Sequence, residues 1–407
     1  MAGRNQKSLG GQRGVALIVV LTAVAVLSVA VSEFSYNTRI AVGMTYHSEK
    51  EVQAYFNARS GIMIALFTLE AKEVVDKVVG QFASFLGGVN TNQIEIWRAI
   101  EPLCGGFSTG KFNLYGMDLI DFEGVGGMGM PPKQGFECKV GLEDGRINLN
   151  NVTTTSDKQT LYAELRGIFM QQFQSDLFDE NEKRVDELIG SIIDWADQDD
   201  NKTQIEQGFV QEAMGGSGEG GDYSKYGYDV KNAKYDTVEE LRYVDGVTAG
   251  IYCLLKDKVT VYNTEKLNVN TADLEVIKGL ICSHMPPVAQ VSLCNPHGRA
   301  QGQIAPIDII GQHFEMCRQV KNKLFTPPFS SAKSFVNFFN KLSAFIQAMP
   351  GGGLPGGLPL DTASLIKKVG TKGRIWRVTA TGKAGNVEKT ITAVLDTSAG
   401  KIVYWRE

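Results

Sequence analysis

The 407-residue sequence lacks the phosphate-loop, EF-hand and zinc-knuckle motifs that mark common nucleotide- and metal-binding classes. Gly215-Gly216-Ser217-Gly218 has no strand before it to build a nucleophile elbow. No glycine-rich loop ends in Gly-Lys-Ser/Thr, and no loop has the ligand spacing and closing Glu of an EF-hand. A Cys-x-x-Cys knuckle is also missing. The net charge of −4 gives no polyanion-binding signature. The expectation is therefore a protein that is not an enzyme. Two further absences organise the chain. The segment before the first apolar run carries Arg4, Lys7 and Arg13 but no acid, and no proline interrupts Glu33 to Glu73.

The first absence frames Gly14 to Val31, an apolar run broken only by Thr22 and Ser28. A helix of this length roughly matches a thin bilayer core. The basic flank predicts a cytoplasmic N-terminus, with the rest across the membrane. Three readings compete: a plain signal anchor, a signal peptide cut after Ser28-Val29-Ala30, and a leader cut after Gly14. The third accounts for the flexible glycine at the polar–apolar boundary. It also accounts for the segment beyond the span. Glu33 to Glu73 reads as one long amphipathic helix, with Phe34, Ile40, Met44, Val52, Tyr55, Phe56, Ile62, Ile64, Leu66 and Leu69 among polar residues.

A span fused to a protruding amphipathic helix resembles the stem of type IV pilin-like proteins, and most closely the minor pseudopilins of bacterial type II secretion. Cleavage between Gly14 and Val15 puts Val19 at the fifth mature position, where most pilins carry glutamate. The K-type minor pseudopilin characteristically lacks that acid. A carboxylate in lipid is costly without a partner, thought to be the terminal amine of the subunit ahead. A subunit without the acid needs no subunit ahead, so it can sit first. The resemblance continues through Asp194-Trp195-Ala196-Asp197-Gln198-Asp199-Asp200, then Thr237-Val238-Glu239-Glu240-Leu241, then Asn268-Val269-Asn270-Thr271-Ala272, in the family's order.

It implies prepilin-peptidase cleavage with N-methylation of Val15, a single-pass inner-membrane location with a periplasmic domain, and a place at the pseudopilus tip. The implied partners are I-type and J-type minor pseudopilins and the major pseudopilin, with no nucleic acid. The expected fold is α+β: a long helix on an antiparallel sheet with a large inserted helical domain of helix-hairpin-helix type. The expected division is 1–14 leader, 15–31 membrane part of the stem, 32–80 periplasmic part, 81–150 first part of the sheet domain, 151–345 helical insert, 346–360 Gly/Pro linker and 361–407 C-terminal meander. A minor pilin of a type IV pilus, or a membrane-anchored DNA-binding module, is the alternative. The acidic insert and the missing Gly-x-Gly at Gly279-Leu280-Ile281 oppose DNA.

Strand character is expected at 110–114, 117–122 and 136–140, all three as candidate starts of the sheet, and again at 373–381, 387–396 and 401–405. Arg146-Ile147-Asn148-Leu149-Asn150 recurs as Lys266-Leu267-Asn268-Val269-Asn270, so two equivalent strand-to-helix junctions are expected, with Asn side chains tying backbone groups. Ser156 with Gln159 is the expected capping box after the first, and Asn270 or Thr271 the expected cap after the second. Two stretches, Met285 to Pro328 and Met349 to Pro359, depart from a minimal family member.

Six cysteines lie beyond the span. Cys104 with Cys138 and Cys282 with Cys294 are the expected disulfides, each closing a loop rich in Gly or Pro, and Cys253 reads as a buried free thiol. Zinc is the weaker use for Cys282, Cys294, Cys317, His284, His297 and His313, whose spacing is irregular. The acids Asp194, Asp197, Asp199, Asp200 and Asp222 are the candidate ligands for Ca²⁺, which takes several hard oxygens and which the resemblance also implies. Their plainer reading is a solvated helix end.

Overall fold

Uninterrupted helix-forming sequence gives one continuous helix, α1, over Gln12–Phe82. At 1.5 Å per residue its 71 residues extend about 107 Å. The structure, a computed structural model, describes residues 12–82, 95–114, 117–121, 130, 133–172, 177–178, 181–212, 218, 223–262, 264, 266–286, 289, 293–294, 306–321, 327–347 and 358–407. Residues 1–11 of the expected leader, and most of the 349–359 linker, lie outside these.

The C-terminal half of α1 lies on a four-stranded antiparallel sheet in the order β12-β11-β10-β3. The strands are β3 (Gln134–Leu142), β10 (Ile375–Ala384), β11 (Val387–Asp396) and β12 (Lys401–Arg406). Alternation along β10 aims Trp376, Val378 and Ala380 at the helix, while Thr379 and Thr381 face Thr392 and Thr390 of β11. The helix meets them with Ala54, Ala58, Ile62, Ala65 and Leu69, all buried. Of the larger apolar residues that mark α1 as amphipathic, Phe34, Ile40, Met44, Val52 and Phe56 are instead exposed. The contact is too close for them. A Cβ at Gly382 of β10 would collide with Ala54 O and Ala58 N, and one at Gly61 would lie 2.9 Å from Cys138 Sγ.

Of the three expected starts of the sheet, only the third joins it, as β3; among the described residues, β1 (Lys111–Leu114) and β2 (Met117–Asp121) pair with each other. The outer edge of β3 is covered by α2 (Ile100–Thr109) instead. Ser108 Oγ of α2 accepts the Phe136 N–H at 2.7 Å, Glu101 accepts that of Val140 at 3.1 Å, and Cys104 is joined to Cys138. Pro102 sits in the first turn of α2, where a missing N–H leaves nothing unmade.

Between β3 and β10 the chain leaves the sheet and builds the helical insert. Its helices are α3 (Thr155–Phe169), α4 (Glu182–Ala196), α5 (Ala249–Leu255), α6 (Leu274–Ser283), α7 (Pro306–Lys321), α8 (Ala332–Gln347) and α9 (Thr362–Lys368). Short strands complete it: β4 (Ile147–Asn148), an antiparallel hairpin of β5 (Thr203–Glu206) and β6 (Phe209–Glu212), β7 (Val259–Thr260), β8 (Leu267–Asn268) and β9 (Val369–Gly370).

The insert is wider than the expected 151–345. Ile147 and Leu149 belong to its core, as do Leu365 and Val369, with Leu358 and Leu360 packed against it. The segment 361–370 is therefore helix and insert strand, not meander, because β9 pairs with β8. Nor is 285–328 an appendage: Phe314 of α7 packs on Phe329, Phe335 and Phe339 in the same core.

The two Asn motifs fold alike. Strand β4 pairs in parallel with β7, and β8 with β9. Asn148 Oδ1 accepts the Asn150 N–H at 3.0 Å, and Asn268 Oδ1 accepts that of Asn270 at 3.0 Å. The second Asn of each pair then binds a distant loop segment: Asn150 Oδ1 accepts from Tyr235 N at 2.7 Å, Asn270 Oδ1 from Phe329 N at 2.9 Å. The helices after them, α3 and α6, cross at Gly167 and Gly279, where a Cβ on Gly167 would come 2.5 Å from Gly279 Cα.

Capping differs from the sequence pattern. Thr154 and Asp157, two positions before the expected box, cap α3. Gln159 is occupied with the hairpin turn, accepting from Val210 N at 2.8 Å and donating to Gly208 O at 3.0 Å. Asp273 caps α6 by accepting the Glu275 N–H at 2.8 Å, since Asn270 is already engaged. A Thr237–Glu240 capping box opens a 3-10 turn over Val238–Tyr243.

Candidate functional site

The stem carries the first candidate site. Gly14, Val15 and Val19 lie on α1 with nothing packed against them: Val15 is 62% and Val19 59% exposed, and no atom lies within 4 Å of a Cβ built at Gly14. The helix contains one stretch long and apolar enough to cross a membrane, none of it buried in the protein.

Beyond the span a second apolar surface is bare. Val52, Phe56, Met63 and Phe67 project within about 60° of one another at 3.6 residues per turn, and they are 40–73% exposed. They lie opposite the alanine face that meets the sheet. A soluble protein has no use for such a face, whereas a bundle of like helices covers it.

The acidic cluster forms at the end of α4. Asp194, on its last turn, is buried and accepts the Thr203 N–H at 2.9 Å. Asp197, the C-cap, is 4% exposed. Lys158 of α3 reaches across to Asp197 Oδ2 at 2.8 Å and Asp199 Oδ2 at 3.3 Å. Asp200 points elsewhere and accepts from Asn232 Nδ2 at 2.8 Å. Asp222 lies outside the described residues. Burial pushes the carboxyl of Asp197 up to about 7 against the pull of Lys158, with Asp194 and Asp199 adding to the rise. Burial likewise raises Asp194 to about 6. Lys158 stays protonated: burial opposes its charge, but Asp197 and Asp199 outweigh it.

The sequence pattern did not reveal Lys158. Its signal was there: a lysine in the first turns of a helix opposes the dipole unless an acid claims it. A cation-sized position thus exists among these aspartates, and in this conformation an ammonium fills it. Among the described residues, no three His, Cys, Asp or Glu side chains converge to hold a metal. Asp197 Oδ1 is nevertheless buried with no hydrogen-bond partner.

The other candidates separate. Cys282 is joined to Cys294, which removes both from any zinc set, and His284 is turned onto Leu280 O at 2.8 Å. His297 lies outside the described residues. Cys253 is a free thiol but exposed on α5 rather than buried, and Cys317 is free and half-buried. The two asparagine junctions are fully used in holding the backbone.

Residues 145–264 match the family described as type II secretion system (T2SS), protein K. That stretch runs from the first Asn junction through the acidic cluster to the end of β7. No curated protein matches the chain by sequence. Among solved structures, the fold is similar to a chain in the crystal structure of the GspK-GspI-GspJ complex from the enterotoxigenic Escherichia coli type 2 secretion system. The likeness has a TM-score of 0.53 at 14% identity and covers 89% of this chain and 98% of that one. The chain therefore carries, on a long helix packed against an antiparallel sheet, a stretch that matches the type II secretion protein K family, in a fold similar to that of the solved chain.

Proposed function

We propose that this chain is a K-type minor pseudopilin that leads the pseudopilus as its tip subunit, held there by I-type and J-type minor pseudopilins packed along α1. The observation that carries this reading is the pair of opposite faces on one helix: alanines pressed on the sheet, and Val52, Phe56, Met63 and Phe67 bare. The similar solved chain is one of a GspK-GspI-GspJ complex, which supports the choice of partners. Val19 supports the leading position, since a span without a carboxylate asks nothing of a subunit ahead. The protein acts by assembly and not by catalysis. Prepilin peptidase cuts between Gly14 and Val15, Val15 is N-methylated, and the span sits in the inner membrane with the folded part in the periplasm. The major pseudopilin lies below it in the filament, and no nucleic acid is involved.

The reading extends to calcium. Asp197 fits a metal in having a buried, unpartnered oxygen, and its neighbour Asp199 supplies a second carboxylate. Bound there, Ca²⁺ would be held by Asp197 and Asp199, with Lys158 withdrawn. It would supply the positive charge that one ammonium only partly provides.

Mass spectrometry of the membrane-extracted protein tests the core of the proposal. A methylated N-terminus at Val15 and co-purification with I and J are expected. An intact leader, or a start after Ala30, overturns it.

A further inference from the structure

Where α3, α4 and the β5–β6 hairpin meet, they leave a cleft of about 610 Å³ that neither the stem nor the acidic cluster uses. Its volume falls in the range of small-ligand and side-chain sites. The floor is apolar: Ala163, Gly167, Met170 and the Cys282–Cys294 bridge. The wall is charged. Arg166 Nη1 binds Asp186 Oδ1 at 2.8 Å, and Nη2 lies 3.4 Å from Glu182 Oε2. Tyr162 OH donates to the same Asp186 oxygen at 3.0 Å. One guanidinium thus serves two carboxylates, which leaves the trio with a net negative charge. Burial holds the Asp186 carboxyl above its ordinary value even with Arg166 beside it. Glu182 is half-exposed at the rim.

Phe209 also lines the cleft and is 64% exposed. Its position is set. The preceding Gln207 and Gly208 take φ of 51° and 85°, a tight turn that Gln159 of α3 ties down through Gly208 O and Val210 N. A bare aromatic ring on a tied turn, sharing one cleft with an under-neutralised carboxylate pair and apolar side chains, is complementary to one side chain above others. Arginine has an alkyl stem for the floor, a planar cation for the ring and a fork of N–H donors for a carboxylate.

We propose that this cleft docks an arginine side chain presented by a protein that meets the insert, with its guanidinium on Phe209 and Glu182. The inference is independent of where the chain sits in a filament: peptide binding does not read the mature N-terminus, and a wrong N-terminus does not touch the cleft.

The test is a titration of the full-length protein in detergent with a fluorescently labelled Gly-Gly-Arg-Gly-Gly peptide. Its citrulline counterpart, of the same shape but neutral, serves as comparison. Saturable arginine binding is expected, about tenfold tighter than citrulline and weakened by added salt. Phe209→Ala and Glu182→Gln each lower the affinity by about fivefold or more, with unfolding midpoints unchanged because both side chains are exposed. Equal binding of the two peptides, no saturable binding, or affinity that survives both substitutions overturns the proposal.

Discussion

Asp144 and Arg374 stand 230 positions apart in the chain and clasp the insert to the sheet. Asp144 Oδ2 accepts the main-chain N–H of Arg374 at 2.7 Å and of Ile375 at 2.8 Å. Next to it, fully buried Glu143 binds the guanidiniums of Arg377 and Arg146 and accepts the Thr260 hydroxyl at 2.6 Å. The point where the chain leaves β3 is thereby tied to the point where it enters β10. Asp144→Ala strands two amide donors in a largely buried place, for which a loss of about 2–4 kcal/mol is expected. Urea unfolding measures the loss. Amide exchange shows whether protection falls first at 374 and 375, as a clasp requires, or evenly along the strand, as a general packing defect would.

Gly167 and Gly279 make a second, asymmetric prediction. A methyl on Gly167 meets Gly279 backbone atoms at 2.5–2.9 Å, whereas one on Gly279 finds its nearest atoms at 3.3–3.4 Å. Gly167→Ala must push α3 and α6 apart and costs about 1–3 kcal/mol. Gly279→Ala needs only a shift of a few tenths of an ångström and costs clearly less. Gly105→Ala in α2, with nothing within 4 Å, provides the reference and is expected to stabilise by about 0.5–1 kcal/mol. Thermal melts of the three variants give the order.

The aspartates at the end of α4 predict a pH dependence. Folded Asp197 titrates at about 7 and Asp194 at about 6, both above the unfolded value. Between pH 8 and 5 the folded state takes up protons that the unfolded state does not, so stability rises as pH falls. It is lost again as pH climbs through 7. Lys158→Met leaves Asp197 without its counter-charge and costs about 3–5 kcal/mol at pH 8, shrinking toward pH 5 where the carboxyl is neutral. Added Ca²⁺ raises the melting temperature more at pH 8 than at pH 5.5, because a metal needs the ionised form. Equal shifts at both values, or none, exclude these carboxylates as ligands.

What the residues reveal unaided, and what they hide, divides by distance along the chain. The span, the strands at 375–384 and 387–396 and the repeated Asn motif are patterns within a few residues, and periodicity reads them directly. The stem's packing face escaped because alanine carries little amphipathic signal. Ala54 and Ala58 matter because Gly382, over 300 positions later, lets the sheet approach them. The α3 cap escaped for a local reason. Thr153, Thr154, Thr155 and Ser156 all offer a hydroxyl, and the choice falls to Thr154 once Gln159 is drawn to the hairpin turn. Lys158 and Asp197 lie on different helices, so their pairing is a fact of packing that no spacing encodes.

The two faces of α1 yield the last prediction, which separates folding from assembly. Phe67 is 73% exposed and Phe56 54%, so replacing each with serine removes surface that touches little in the isolated chain. The unfolding free energy should move by no more than about 0.5 kcal/mol. Ala58 is fully buried against β10, where Gly382 already has no room for a methyl. Ala58→Leu should therefore cost several times as much, about 1–3 kcal/mol or more. Recovery of I and J partners from detergent-solubilised membranes is expected to behave in the opposite way. It falls sharply for the Phe56/Phe67 double variant, whose bare face no longer drives helix association. It falls for Ala58→Leu only in proportion to the protein that fails to fold. Partner recovery that tracks stability in both variants would mean that the exposed stripe is not the contact surface, and the tip assembly would then have to be held by the globular part alone.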